Sequence, residues 1–126
     1  MNKRLYFFIT SVIRLVNPMT LSEDEKSVIH SRKDDIFTLT DEIFDLLPNC
    51  KKNQHEILNR MSRIFFNLRD LCTISDKLVL EPQLMMFRDN FLSVHTMFQQ
   101  DDRQKIIQQR IEHFCSDANS VMLHEK

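Results

Sequence analysis

The stretch Ile57-Leu58-Asn59-Arg60-Met61-Ser62-Arg63-Ile64-Phe65-Phe66-Asn67-Leu68-Arg69-Asp70-Leu71 decides the fold. Ile57, Met61, Ile64, Leu68 and Leu71 alternate steps of four and three, and Ser75 and Leu78 continue the series. A strand would place apolar residues at every second position, whereas a helix of about 3.6 residues per turn gathers these onto one stripe. Leu58, Phe65, Cys72 and Val79 follow one position beyond the seam. The apolar arc therefore covers roughly 160° of the helix circumference, wider than a two-stranded coiled coil uses. Such a helix packs against at least two neighbours. The pattern predicts a long helix over residues 52–80, stopped by Pro82.

Upstream, Ser22 and Glu25 have the spacing of a capping box, in which a hydroxyl and a carboxylate satisfy orphan amides at a helix start. A helix over residues 23–47 follows, with Ile29, Ile36, Leu39, Ile43, Leu46 and Leu47 on one face and Phe37 and Phe44 flanking it. Pro48-Asn49 closes it. Downstream, Phe87, Phe91, Val94 and Phe98 predict a helix over residues 83–99. The register slips across Gln99-Gln100-Asp101-Asp102-Arg103 and resumes with Ile107, Ile111, Phe114, Ala118 and Val121. A break with an Asp cap and a fresh helix over residues 103–124 accounts for the slip. No segment alternates as a strand does, and no internal repeat is visible. The fold expected is all-α: an elongated antiparallel bundle of long, coiled-coil-like helices in one domain over residues 20–126.

Ahead of it, Leu5, Phe8, Ile9, Val12, Leu15 and Val16 recur at helical spacing, and Asn17-Pro18 ends the run. Residues 1–17 are read as a short amphipathic helix. The same residues also have the charged start and apolar run of a signal peptide, but Arg14 interrupts the run and no small-x-small site follows. The run is shorter than the roughly 20 apolar residues that span a bilayer.

Composition narrows the function. The chain has no glycine among 126 residues, so it has neither a Gly-rich phosphate cradle nor a dinucleotide-binding turn, and no loop is expected to need a glycine hinge at positive φ. Ten Phe and seven Met with no Trp suit helix–helix seams, where Met fills irregular gaps. A net charge of −1, a pI near 6.5 and basic residues scattered in pairs disfavour direct nucleic-acid binding and docking on an anionic membrane. Cys50, Cys72 and Cys115 are odd in number with no C-x-x-C pair, which fits reduced, mostly buried thiols rather than a disulfide framework or a zinc site.

No cluster suggests catalysis. His30, His55, His95, His113 and His124 make no H-E-x-x-H pair. His113 and Cys115 would point about 160° apart on a helix, placing the imidazole on the surface and the thiol in the core. Asp34-Asp35 and Asp101-Asp102 read as solvated turn or cap charges, since adjacent helix positions do not face each other. No enzyme activity, cofactor or metal is expected. Phe66 is more informative: it stands opposite the seam, between Arg63 and Asp70, as an anchor for a partner. A helix of about 29 residues would be about 43 Å long, longer than a compact globule of this size is wide, so its apolar ends would project as partner surfaces.

Asp35-Ile36 and Glu42-Ile43-Phe44-x-Leu46-Leu47-x-Asn49 together resemble the first conserved helix of the Mediator complex subunit 30 family. Ser62-x-Ile64-Phe65-x-x-Leu68-Arg69 is similar to its second helix, and Asp76-Lys77 to the pair that closes that helix. Residues 107–123, with Phe114 and Ala118-Asn119, are similar in pattern to its last helix; residues 5–16 lie outside the pattern. The resemblance implies a nuclear, non-catalytic subunit of the Mediator coactivator, which connects DNA-bound activators to RNA polymerase II. It would be an obligate hetero-oligomer, packing helices on neighbouring Mediator subunits without touching nucleic acid or membrane. The partner-binding residues would then be Ile36, Ile43, Phe44 and Leu47; Ile57, Met61, Ile64, Phe65, Phe66, Leu68 and Leu71; and Ile107, Ile111 and Phe114. Periodicity alone leaves open a secreted four-helix ligand, a small coiled-coil subunit of a tethering or kinetochore complex, and a viral helical decoy.

Overall fold

The computed structural model describes residues 21–101 and 103–123; the short helix expected over residues 1–17 lies outside them. The described elements are α1 (Glu23–Leu46), a 3-10 turn (Leu47–Asn49), α2 (Gln54–Ile74), α3 (Glu81–Gln99) and α4 (Gln104–Leu123). No strand occurs among the described residues.

The capping box forms as expected. Ser22 Oγ accepts the Glu25 amide at 3.1 Å, and Glu25 Oε1 accepts the Ser22 amide at 3.0 Å. Glu23, Asp24 and Glu25 put negative charge at the positive end of the helix dipole. At the other end of α1, Pro48 opens the 3-10 turn, and the Asn53 side-chain amide reaches back to the Leu46 carbonyl at 3.2 Å.

The second helix is shorter than its apolar pattern. α2 ends at Ile74, where Ser75 turns extended, and Leu78 and Val79 reach the core from a connection rather than from a helix. Pro82 does not stop α2; it sits in the first turn of α3, where a missing N–H costs nothing. With Pro82 there, the chain reversal has to draw on residues 75–80. Leu80 donates its amide to Gln83 Oε1 at 2.9 Å, a cap from one side only, because a leucine side chain has no acceptor to return. The 21 residues of α2 therefore span about 32 Å, not 43 Å, and no overhanging helix end follows from its length.

Between α3 and α4 the helix does break. Asp101 takes φ 58°, the left-handed conformation that glycine usually supplies at a helix end. The turn is made without a glycine, because aspartate is among the few residues that tolerate a positive φ. The first turn of α4 hangs on the Arg103 carbonyl, which accepts from Ile106 at 3.0 Å and Ile107 at 3.2 Å. Asp102, half of the expected cap, lies outside the described residues.

α1 packs on α2 and α4, and α3 packs on the same two. The connections are short, so neighbours run antiparallel and the four form an up-down-up-down bundle. Arg60 Nε bonds Glu42 Oε2 at 2.8 Å and Arg32 Nε lies 3.4 Å from Asp70 Oδ2, registering α2 on α1. Thr40 Oγ1 lies 3.0 Å from Asn119 Oδ1, and Phe87 meets Phe114 edge to face at 5.4 Å, which registers α4 on α1 and on α3. A bundle two helices wide measures about 20–24 Å across, so it is longer than it is broad.

The ends of the bundle differ. At one, the α1–α2 and α3–α4 connections meet and are tied. Gln108 Nε2 donates to the Leu47 carbonyl at 2.6 Å, Gln104 Nε2 to the Pro48 carbonyl at 3.1 Å, and Lys51 pairs with Asp101. The Pro48 carbonyl gains a partner in this way, and the Leu47 carbonyl takes the Gln108 amide beside that of Cys50. The other end, where α1 begins, α4 finishes and residues 75–80 cross from α2 to α3, holds more exposed apolar surface.

Candidate interaction surface

The bundle turns most of the expected partner-binding residues inward. Ile36, Ile43 and Leu47 of the first seam, Ile57, Met61, Ile64, Leu68 and Leu71 of the second, and Ile107, Ile111 and Phe114 of the last are all buried in one continuous core. The wide apolar arc of α2 is covered by α1 and α3 of the same chain. Phe65 is half-buried against that core. Of the expected partner-binding residues, Phe44 and Phe66 are exposed, at 39% and 46%.

Phe66 occupies the back of α2, as its place opposite the seam predicts. Its ring meets Phe65 edge-on at 5.8 Å, and the Arg69 guanidinium carbon lies 4.8 Å from its centroid. The cation covers one face of the ring and holds the aromatic in place without removing it from water. Phe44 and Phe66 stand on different helices, α1 and α2.

A second exposed apolar region gave little signal in the sequence. At the open end, α3, α4 and the connection before α3 enclose a cleft of about 400 Å³. Leu78, Leu80, Met86, Phe87 and Val121 form its apolar walls, and Lys77, Gln83, Asn90, Asp117 and Ser120 its rim. Leu80 is 52% exposed and Met86 60%. Met86 could be read from the helical wheel as off the Phe87-Val94-Phe98 stripe. The cleft itself required knowing that the end of α4 lies beside the start of α3.

Two charged residues are also inside where the periodicity suggested an apolar face. Glu25 and Lys33 lie on the inner side of α1, 1% and 6% exposed. Burial pushes the Lys33 ammonium below its ordinary pKa, because the charged form loses hydration. Glu25 Oε1 serves the cap, while Oε2 is buried without a hydrogen bond.

The remaining polar groups do not converge. His113 is exposed and 3.2 Å from Asp117, while Cys115 is buried, as their spacing implied. Desolvation and the Glu112 charge raise the Cys115 thiol to about 12. Burial also raises Cys50, and burial with the charges of Glu81 and Asp76 raises Cys72. His30 pairs with Asp34 at 3.3 Å, and Asp35 lies 4.0 Å from Arg32. Among the described residues no cluster of three metal-ligating side chains occurs, and no helix is long and apolar enough to cross a membrane. Comparisons with protein families, with curated proteins and with solved structures find no match to this chain.

Proposed function

We propose that this chain is a non-catalytic subunit of the Mediator coactivator, a nuclear hetero-oligomer, and that it supports RNA polymerase II transcription by helix packing on neighbouring subunits. The reading is supported by the motif residues of α1 and α2 that resemble the Mediator complex subunit 30 family. The observation that carries its mechanism is Phe66: a large aromatic exposed on the back of a helix whose opposite face is fully buried. Aromatic anchors of this kind supply much of the energy of helix-packing interfaces. The internal seams build the platform, and the outer face of α2 offers the contact.

Truncating the seam is a poor test. Leu68→Ala would cost about 2–5 kcal/mol of folding stability, so loss of binding would follow from loss of fold. Phe66→Ala separates the two. Purification of the tagged chain from nuclear extract, with mass spectrometry of what accompanies it, should recover Mediator subunits. Phe66→Ala should weaken their recovery by about 30-fold, the effect of losing a hot spot of about 2 kcal/mol, with thermal unfolding unchanged. Recovery of the chain as a solitary monomer sinks the assembly reading; recovery with tethering or kinetochore proteins sinks the Mediator assignment alone.

A further inference from the structure

Between Ile57 and Ile74 the exposed residues of α2 are Asn59, Arg63, Phe66, Arg69 and Thr73. They recur at steps of four, three, three and four, so a helix of about 3.6 residues per turn lines them up along its outer side. The stripe runs about 21 Å, close to four turns. Phe66 stands at its centre, one turn from an arginine on either side.

The charge on this stripe is of one sign. Glu56 precedes it, and Asp70 is half-buried and turned to Arg32 of α1 at 3.4 Å. Arg60, the remaining arginine of α2, is engaged with Glu42 of α1 at 2.8 Å. Among the described residues neither Arg63 nor Arg69 pairs with a carboxylate; Arg69 lies over the Phe66 ring instead, 4.8 Å from its centroid. Aromatic residues and arginine are the types enriched at interface cores.

An exposed Phe with a cation on each side selects its occupant. A basic partner would face like charge, and a wholly apolar one would bury two guanidiniums unpaired. Nucleic acid is a poor fit, because two arginines neutralise few phosphates and the whole chain carries a net charge of −1. A helix with carboxylates on either side of a large apolar residue meets all three positions.

We propose that the outer stripe of α2 docks an acidic amphipathic helix of a companion subunit, its apolar residue against Phe66 and its carboxylates on Arg63 and Arg69. This rests on the reading of Phe66 as the assembly contact and adds the chemistry of what sits there. The apolar contact supplies affinity, and the two guanidiniums set the register and exclude other partners.

The test uses the full tagged chain, purified with its companions from nuclease-treated nuclear extract. Arg63→Lys keeps the charge and adds an amine that a carbodiimide joins directly to a carboxylate. Amide crosslinks from position 63 to Asp or Glu of a companion, mapped by mass spectrometry, are expected. Arg63→Glu combined with Arg69→Glu should lower recovery of the companions about 30-fold or more, and Arg63→Lys by less than about threefold. The substituted residues are exposed, so each variant should melt with the parent. Recovery that falls in Phe66→Ala but is unmoved by the double reversal would overturn the acidic partner and leave the Phe66 contact standing. The same holds if position 63 crosslinks only to carboxylates of this chain. Companions that both Phe66→Ala and the double reversal leave in place, or a chain recovered alone, would overturn the proposal together with the contact it rests on.

Discussion

The two ends of this bundle are built from the same helices and solve different problems. At the tied end, side-chain amides of α4 bond the Leu47 and Pro48 carbonyls of the 3-10 turn, and Lys51 pairs with Asp101 across the two connections. At the open end a single connection crosses, Val79 fills the core from outside any helix, and Leu80 and Met86 stay in water. Glu25 and Lys33 are buried in the half of α1 nearest the open end, where burial works against the lysine charge. Closure by polar bonds needs only the described residues.

The largest expected effect tests how tightly the open half is packed. Phe114 is fully buried against Phe87, whose other side lines the cleft. Phe114→Ala should cost about 3–5 kcal/mol in denaturant unfolding. A cost under about 2 kcal/mol would mean the cleft collapses into the vacancy and this half is softer than its burial suggests.

Thiols report on both ends and the middle. Cys50 lies at the tied end, Cys115 in the middle of α4, and half-buried Cys72 near the open end. Alkylation of the native chain at pH 8 should reach Cys72 first, with Cys50 and Cys115 following only on unfolding. The sign of the pH dependence follows from Cys115. Its folded pKa is about 12 against an ordinary 9.0, so above pH 9 the unfolded chain releases a proton that the folded chain keeps. Stability should be unaffected by this group below pH 9 and fall as pH rises toward 12. A flat melting temperature across that window, in a comparison with Cys115→Ala, would place the thiol nearer water than the core.

The smallest effect isolates a single tie. Gln108→Ala removes the 2.6 Å bond to the Leu47 carbonyl and should cost about 1 kcal/mol in chemical denaturation. Hydrogen exchange should speed up at the α1–α2 connection and stay unchanged in residues 75–80. Equal acceleration at both ends would show that the two are energetically one unit.

Much of the fold was legible before the structure. The capping box at Ser22 and Glu25, the break after Gln99 and the burial of the α2 seam follow from local chemistry and a period of about 3.6. The end of α2 was not legible, because Leu78 and Val79 continue the heptad although the chain there has left the helix. Burial rewards an apolar residue wherever the backbone delivers it, so periodicity cannot tell a last turn from a loop packed on the core. Pro82 was misleading for a related reason: proline forbids a helix interior and suits a first turn, and sequence alone does not say which helix it belongs to.

What the sequence determined by itself was the class of fold and the orientation of side chains on each helix. The 3.6-residue period sets which residues share a face, and on that basis Phe66 already stood opposite the seam. Only the tertiary structure decided what that face meets. The α2 seam could have been offered to another protein; it is instead covered by α1 and α3, because antiparallel neighbours joined by short connections find each other before any separate molecule can. The cleft likewise exists only because the end of α4 lies beside the start of α3, a juxtaposition of residues more than thirty positions apart that no local pattern encodes.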